Sequence, residues 1–147
     1  MRKRTYWIAG TFLAGLAATV TAQNVPDPDQ RQMLRLPPDE RHVVLAEMRN
    51  FVVAIQTITD ALSREDMETV AQAAMAMGSG AANEIPPHVV AKLPEPFKQL
   101  AGRVHTTFDA IALDAEGLGD VQHTLGQVGS LMQNCIACHS MYQVIRE

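Results

Sequence analysis

Apolar residues recur every three or four positions in four separate stretches of this chain, and prolines cluster only ahead of or between those stretches, at 26–38, 86–87 and 94–96. A strand repeats every second residue and a helix every 3.6, so this spacing selects helices. The first is expected to start near Asp39, after Pro37 and Pro38, with Val44, Leu45, Met48, Val52, Ile55 and Leu62 inward. Ser63 and Asp66 read as a capping box that opens a second helix, whose stripe is Met67, Val70, Ala71, Ala74 and Met77, with Gly78 and Gly80 ending it. The connection NEIPPHVVAKLPEP leads to a third helix. There Phe97, Leu100, Ala101, Val104, Phe108 and Ile111 share a face, and Gly117 and Gly119 stop it. Asp120 can cap a fourth helix running close to the C-terminus, with Val121, Leu125, Val128, Met132, Cys135, His139 and Tyr142 as its stripe. With no strand candidate longer than a few residues, the pattern predicts an all-α, antiparallel four-helix bundle.

The start of the chain reads as an address. Arg2, Lys3 and Arg4 precede an apolar run over residues 6–20, and Val20, Thr21 and Ala22 supply a cleavage site. The run is shorter than the ~20 residues of a spanning helix and contains Gly10, Thr11, Gly15 and Thr19, which favours export with cleavage over an anchor. The expected organisation is a signal peptide at 1–22, an extended arm at 23–38 and a bundle domain at 39–147. Without the leader, nine Lys and Arg stand against sixteen Asp and Glu, a formal charge of −7. That balance argues against nucleic acid as a partner. Nothing after the leader is apolar for long enough to cross a bilayer.

Both cysteines lie in NCIACHS, with His139 directly after the second. Cys-x-x-Cys-His is the attachment signature of a c-type haem. On a helix, Cys135, Cys138 and His139 leave one face within a turn, so two thiols can reach the vinyl groups of one porphyrin edge while the imidazole reaches its iron. A thioredoxin-type Cys-x-x-Cys would open a helix after a strand, whereas this one lies late in a helical stripe. A zinc site would need further Cys or His ligands at motif spacing, and a disulfide across three helical residues would be strained. Thioethers would also protect the thiols in an oxidising compartment.

The leader, the four helices and CIACHSMY near the C-terminus together resemble the class II c-type cytochromes, the cytochrome c′ and low-spin cytochrome c556 group. The resemblance covers essentially the whole mature chain, with the attachment motif as its specific part. The first helix of this group often reads Arg-x-x-x-[Leu or Met]-x-x-Met, and RHVVLAEM gives Arg41, Leu45 and Met48. The resemblance implies Arg41 near a haem propionate and Leu45 as the cover of a five-coordinate iron. In the c556 branch a methionine, often at the position of Leu45, completes the coordination, and this chain departs from that pattern. It departs again at Gln143, where cytochromes c′ carry an arginine after the aromatic matched by Tyr142. Relatives in the group commonly pair as dimers through their first two helices, so a homodimer is an open alternative.

Leu45, Met48 and Val52 share the face that would oppose the fourth helix. Leucine cannot ligate, whereas the Met48 thioether can, and it would give a low-spin iron suited to electron transfer. A core-filling Met48 is the competing reading. His123 lies sixteen residues before His139, about 24 Å along the helix, and cannot serve the same iron. His42 and His88 read as surface residues, and His105 is the outside candidate for a ligand. Glu65, Asp66 and Glu68 suit the first turn of the second helix, and Asp109, Asp114 and Glu116 read as a solvated face. No nucleophile motif or phosphate loop points to an enzyme.

The residues and the resemblance together predict a periplasmic protein with one haem c. It would be attached through Cys135 and Cys138, with His139 as proximal ligand, and would carry single electrons between periplasmic redox proteins. The alternative is a five-coordinate haem that binds nitric oxide or carbon monoxide beneath Leu45. A bundle kept chiefly for assembly is a third.

Overall fold

The computed structural model describes residues 29–147, so the leader expected at 1–22 and the first part of the expected arm lie outside the described residues. What is described is mostly helical, with one short parallel strand pair. The order is β1 (Gln32–Leu36), α1 (Pro38–Leu62), α2 (Met67–Met75), α3 (Ser79–Ala82), α4 (Pro87–Val90), α5 (Glu95–Gly117), α6 (Val121–Met141) and β2 (Tyr142–Arg146). Among the described residues no helix is long and apolar enough to cross a membrane.

Local chemistry sets the helix ends. Pro38 occupies the first turn of α1, where its missing N–H costs nothing, and Asp39 and Glu40 place negative charge at the positive end of the helix. The Asp66 carboxylate caps α2 by accepting from the Thr69 amide at 3.1 Å. The expected partner in that capping box does something else. Ser63 closes α1, its hydroxyl donating to the Asp60 carbonyl, because Glu65 at φ 59° turns the chain before α2 begins. α2 stops at Met75, and Gly78 then serves as the N-cap of α3. α5 ends as expected at Gly117, with Gly119 at φ 62°, and the Asp120 carboxylate accepts from the Gln122 and His123 amides at 2.9 and 3.0 Å.

Two apolar clusters hold the elements together. In the larger, Ile58 and Ala61 of α1, Val70 and Ala74 of α2, Phe108 and Ile111 of α5 and Leu131 of α6 are fully buried. Each large side chain there contributes ~1.5–3 kcal/mol by leaving water. The smaller gathers Leu34, Leu36, Val44, Val89, Phe97, Leu100 and Tyr142. α2 packs on α1 and α5, α5 packs on α6, and α1 touches α6.

Three features depart from the sequence pattern. First, the strands exist: β1 and β2 pair in parallel, Gln32 opposite Tyr142 and Leu36 opposite Arg146. β1 falls inside the expected extended arm, but Leu34 and Leu36 bury into the smaller cluster, so this segment belongs to the packed domain. Second, Tyr142 leaves helical geometry at φ −129°, ψ 149° and starts β2 instead of continuing α6. Third, the buried residues of α6 are Thr124, Val128 and Leu131: Val128 is as expected, whereas Thr124 and Leu131 take the inward places of Leu125 and Met132, which are about half exposed. On α1, Val52 is 66% exposed rather than inward.

Candidate functional site

Leu131 sits in the core, and the next two steps along that face of α6 are Cys135 and Cys138, both half-buried. The Cys135 thiol donates to the Leu131 carbonyl at 3.7 Å, a normal helix-internal contact for sulfur. Burial pushes both thiols above their ordinary pKa, with the neighbouring Cys135 adding to the effect at Cys138. They are therefore protonated at neutral pH, unlike the low-pKa thiolate of a disulfide oxidoreductase. His139 is exposed, and α6 closes just beyond it, where the Tyr142 amide donates to the Cys138 carbonyl.

These three side chains border a cavity of about 290 Å³ that is lined by residues from both apolar clusters. Its size lies at the low end of the ~300–1,000 Å³ usual for ligand pockets. α1 contributes Val44, Met48, Phe51 and Ile55, the i, i+4, i+7 and i+11 positions of one helical stripe. α5 contributes Phe97, Leu100, Val104 and His105, and α4 adds Val90. The polar contributions come from Glu47, Lys98, His105 and Asn134.

His105 is 4% exposed and is engaged at both ring nitrogens. Nδ1 lies 2.9 Å from the Met77 carbonyl, and Nε2 lies 3.3 Å from Glu47 Oε1. Phe51 meets the ring edge-on at 5.2 Å. Burial alone would lower the pKa of this imidazole, but the Glu47 carboxylate and the Met77 carbonyl outweigh it and raise the net value.

Of the residues expected to form the site, Cys135, Cys138, His139 and Met48 come together around this one cavity, Met48 reaching it from α1 and the other three from α6. Leu45 and Arg41 do not line it. Leu45 is half-buried one position round from Val44, and Arg41 points to β2, its Nε donating to the Val144 carbonyl at 3.3 Å. His123 lies 2.9 Å from Asp114 Oδ2, and His42 and His88 are exposed. Two carboxylates expected on a solvated face have structural partners: Asp109 accepts from the Ser79 amide and hydroxyl, and Asp114 from the Gln127 amide. Among the described residues no group of three or more His, Cys, Asp or Glu side chains is arranged to hold a metal ion.

The sequence pattern also omitted Phe51, although it falls seven residues after Val44 on the same stripe. Chemically, the arrangement sets two thiols and an imidazole at one wall of an apolar cavity and a thioether and a buried imidazole at others. That is a soft sulfur and nitrogen donor set. Compared with known proteins, the chain matches no family description, no curated protein and no solved structure.

Proposed function

We propose that this chain is an exported, periplasmic c-type cytochrome with a single haem, an electron carrier rather than an enzyme, built as an antiparallel bundle of α1, α2, α5 and α6. One observation carries the reading: the only two cysteines, the histidine after them and Met48 all border the same apolar cavity. The donor set fits a haem. The walls are apolar, the exposed His139 is among the lining residues, and the donors are those that c-type sites use.

Bound there, the haem supplies a one-electron Fe(III)/Fe(II) couple. The chain's own residues do the rest. Cys135 and Cys138 would hold the group covalently, each thiol adding across one vinyl group with no oxidant consumed. His139 would hold the iron from α6, and the Met48 thioether would be the candidate second ligand from α1. Val44, Phe51, Phe97 and Leu100 exclude water, which keeps reorganisation small when the iron changes charge. The acidic chain outside the cavity, −7 without the leader, suits recognition by a redox partner that presents positive charge.

The test is the visible spectrum of the reduced holoprotein, made with haem-maturation machinery, before and after carbon monoxide. Sharp low-spin bands unmoved by the gas, converted to high-spin by Met48→Ala, are the expected result. A wild-type high-spin spectrum that shifts with the gas would replace electron transfer by the binding of nitric oxide or carbon monoxide at an open position.

A further inference from the structure

Met48 needs a fixed place to act as a ligand, and an unbranched side chain on one helix does not supply it. Methionine has three rotatable bonds and adapts to irregular space, so its position depends on how firmly its own turn of helix is held. On α1 that turn carries Glu47 immediately before it and Phe51 three residues after it.

Both of those neighbours end on the same imidazole. Glu47 Oε1 lies 3.3 Å from His105 Nε2, and Phe51 meets the His105 ring edge-on with centroids 5.2 Å apart. Phe51 also stacks on Phe108, one turn further along α5, at 5.7 Å. His105 is anchored in its turn, because Nδ1 lies 2.9 Å from the carbonyl of Met77 just beyond α2. A carbonyl can only accept, so Nδ1 carries a proton. A carboxylate also accepts, so the 3.3 Å contact between Nε2 and Glu47 is an ion pair when Nε2 is protonated as well. Glu47, Met48, Phe51 and His105 all line the cavity that Cys135, Cys138 and His139 border.

We propose that His105 is a positioning residue for the sixth iron ligand: bridging α5 and the end of α2 to Glu47 and Phe51, it fixes the turn of α1 that aims Met48 into the cavity. This rests on the cytochrome reading above and adds to it a residue that touches neither iron nor thioether. It also separates two uses of histidine within one cavity. His139 is exposed and lines the cavity, while His105 is engaged at both nitrogens.

The experiment compares wild type, Glu47→Ala, Glu47→Gln and His105→Leu as reduced holoproteins, by covalent haem staining, low-spin fraction, carbon monoxide titration and midpoint potential. Glu47 is partly exposed, so its variants are expected to keep the fold, which unchanged helical content and a single cooperative unfolding transition check. His105→Leu and Glu47→Ala are expected to raise carbon monoxide affinity at least tenfold, to populate a high-spin fraction and to lower the potential. Glu47→Gln, whose amide can donate to a neutral imidazole, is expected to stay near wild type. A low-spin wild type whose Glu47→Ala and His105→Leu variants keep its spectrum, gas response and potential overturns this proposal alone. A wild type that stains for haem but is already high-spin overturns the Met48 reading and this proposal with it. Absence of covalent haem overturns the cytochrome reading itself.

Discussion

Phe97 and Tyr142 meet edge-to-face, ring centroids 5.4 Å apart and planes at 78°, at the point where α6 gives way to β2. The pair joins the first turn of α5 to the residue that terminates the helix carrying Cys135, Cys138 and His139. It therefore works as both core and frame. Phe97→Ala removes a buried ring that also lines the cavity, and a loss of ~3–5 kcal/mol is expected from denaturant unfolding. A loss below ~1 kcal/mol would mean that the smaller apolar cluster does not hold this corner.

Gly78 and Asp109 make a second joint. A Cβ on Gly78 would collide with Asp109 Oδ1, the carboxylate that accepts from the Ser79 amide and hydroxyl. Gly78→Ala and Asp109→Ala should each cost ~1–2 kcal/mol, since each breaks the same cap. The double variant should cost no more than the larger single one, because the two act on one interaction. Strict additivity in a double-mutant cycle would disprove the shared mechanism.

The cysteines are expected to contribute one covalent link each. Cys135→Ala or Cys138→Ala should leave haem attached through a single thioether, and the double variant should lose haem staining on a denaturing gel. Retention of stain without either cysteine would exclude the thioether assignment.

Stability should depend on pH through His105. Burial opposes protonation, but the Glu47 carboxylate and the Met77 carbonyl win, and the pKa is raised above its ordinary value of about 6.5. A pKa raised by folding contributes its full stability below the unfolded value and loses it as pH climbs through the folded value. Denaturant midpoints of the apoprotein are expected to hold level below about pH 6 and then fall as pH rises past about 6.5. His105→Leu should flatten that fall, and an unchanged slope in the variant would show that another group is responsible.

The helices were legible because their signals are local. Pro94 at the N-cap of α5 and Pro96 in its first turn, Gly117 at its end and Gly119 beyond it, and Asp120 before α6 act within a few residues of where they stand. The apolar stripes of α2 and α5 matched the buried faces for the same reason. The strands were hidden because neither is stable alone. β1 is five residues in a proline-flanked arm, and its partner lies beyond all six helices of the described residues. Tyr142 misled because three residues after His139 is also a helical step. On α6, the half-exposed Leu125 and Met132 compete with the true inward residues Thr124 and Leu131, and a buried threonine carries little weight in an apolar count. Of the residues that line the cavity, Cys135, Cys138, His139 and Met48 were singled out from the sequence, whereas the setting of His105 was not. It depends on Glu47, Phe51 and Met77, contributed by other segments of the chain.

The parallel pairing of β1 with β2 also imposes an order in time. A polypeptide is made from its first residue to its last, so β1 exists long before the strand it needs, and loop closure across the whole helical region delays their meeting. The helices can collapse on one another meanwhile. The segment bearing Cys135, Cys138 and His139 follows the other helices in the chain and precedes β2, so the pocket's frame is expected to set last. Any agent that must work on those thiols meets them most easily in that interval, before the ends of the domain are stitched together.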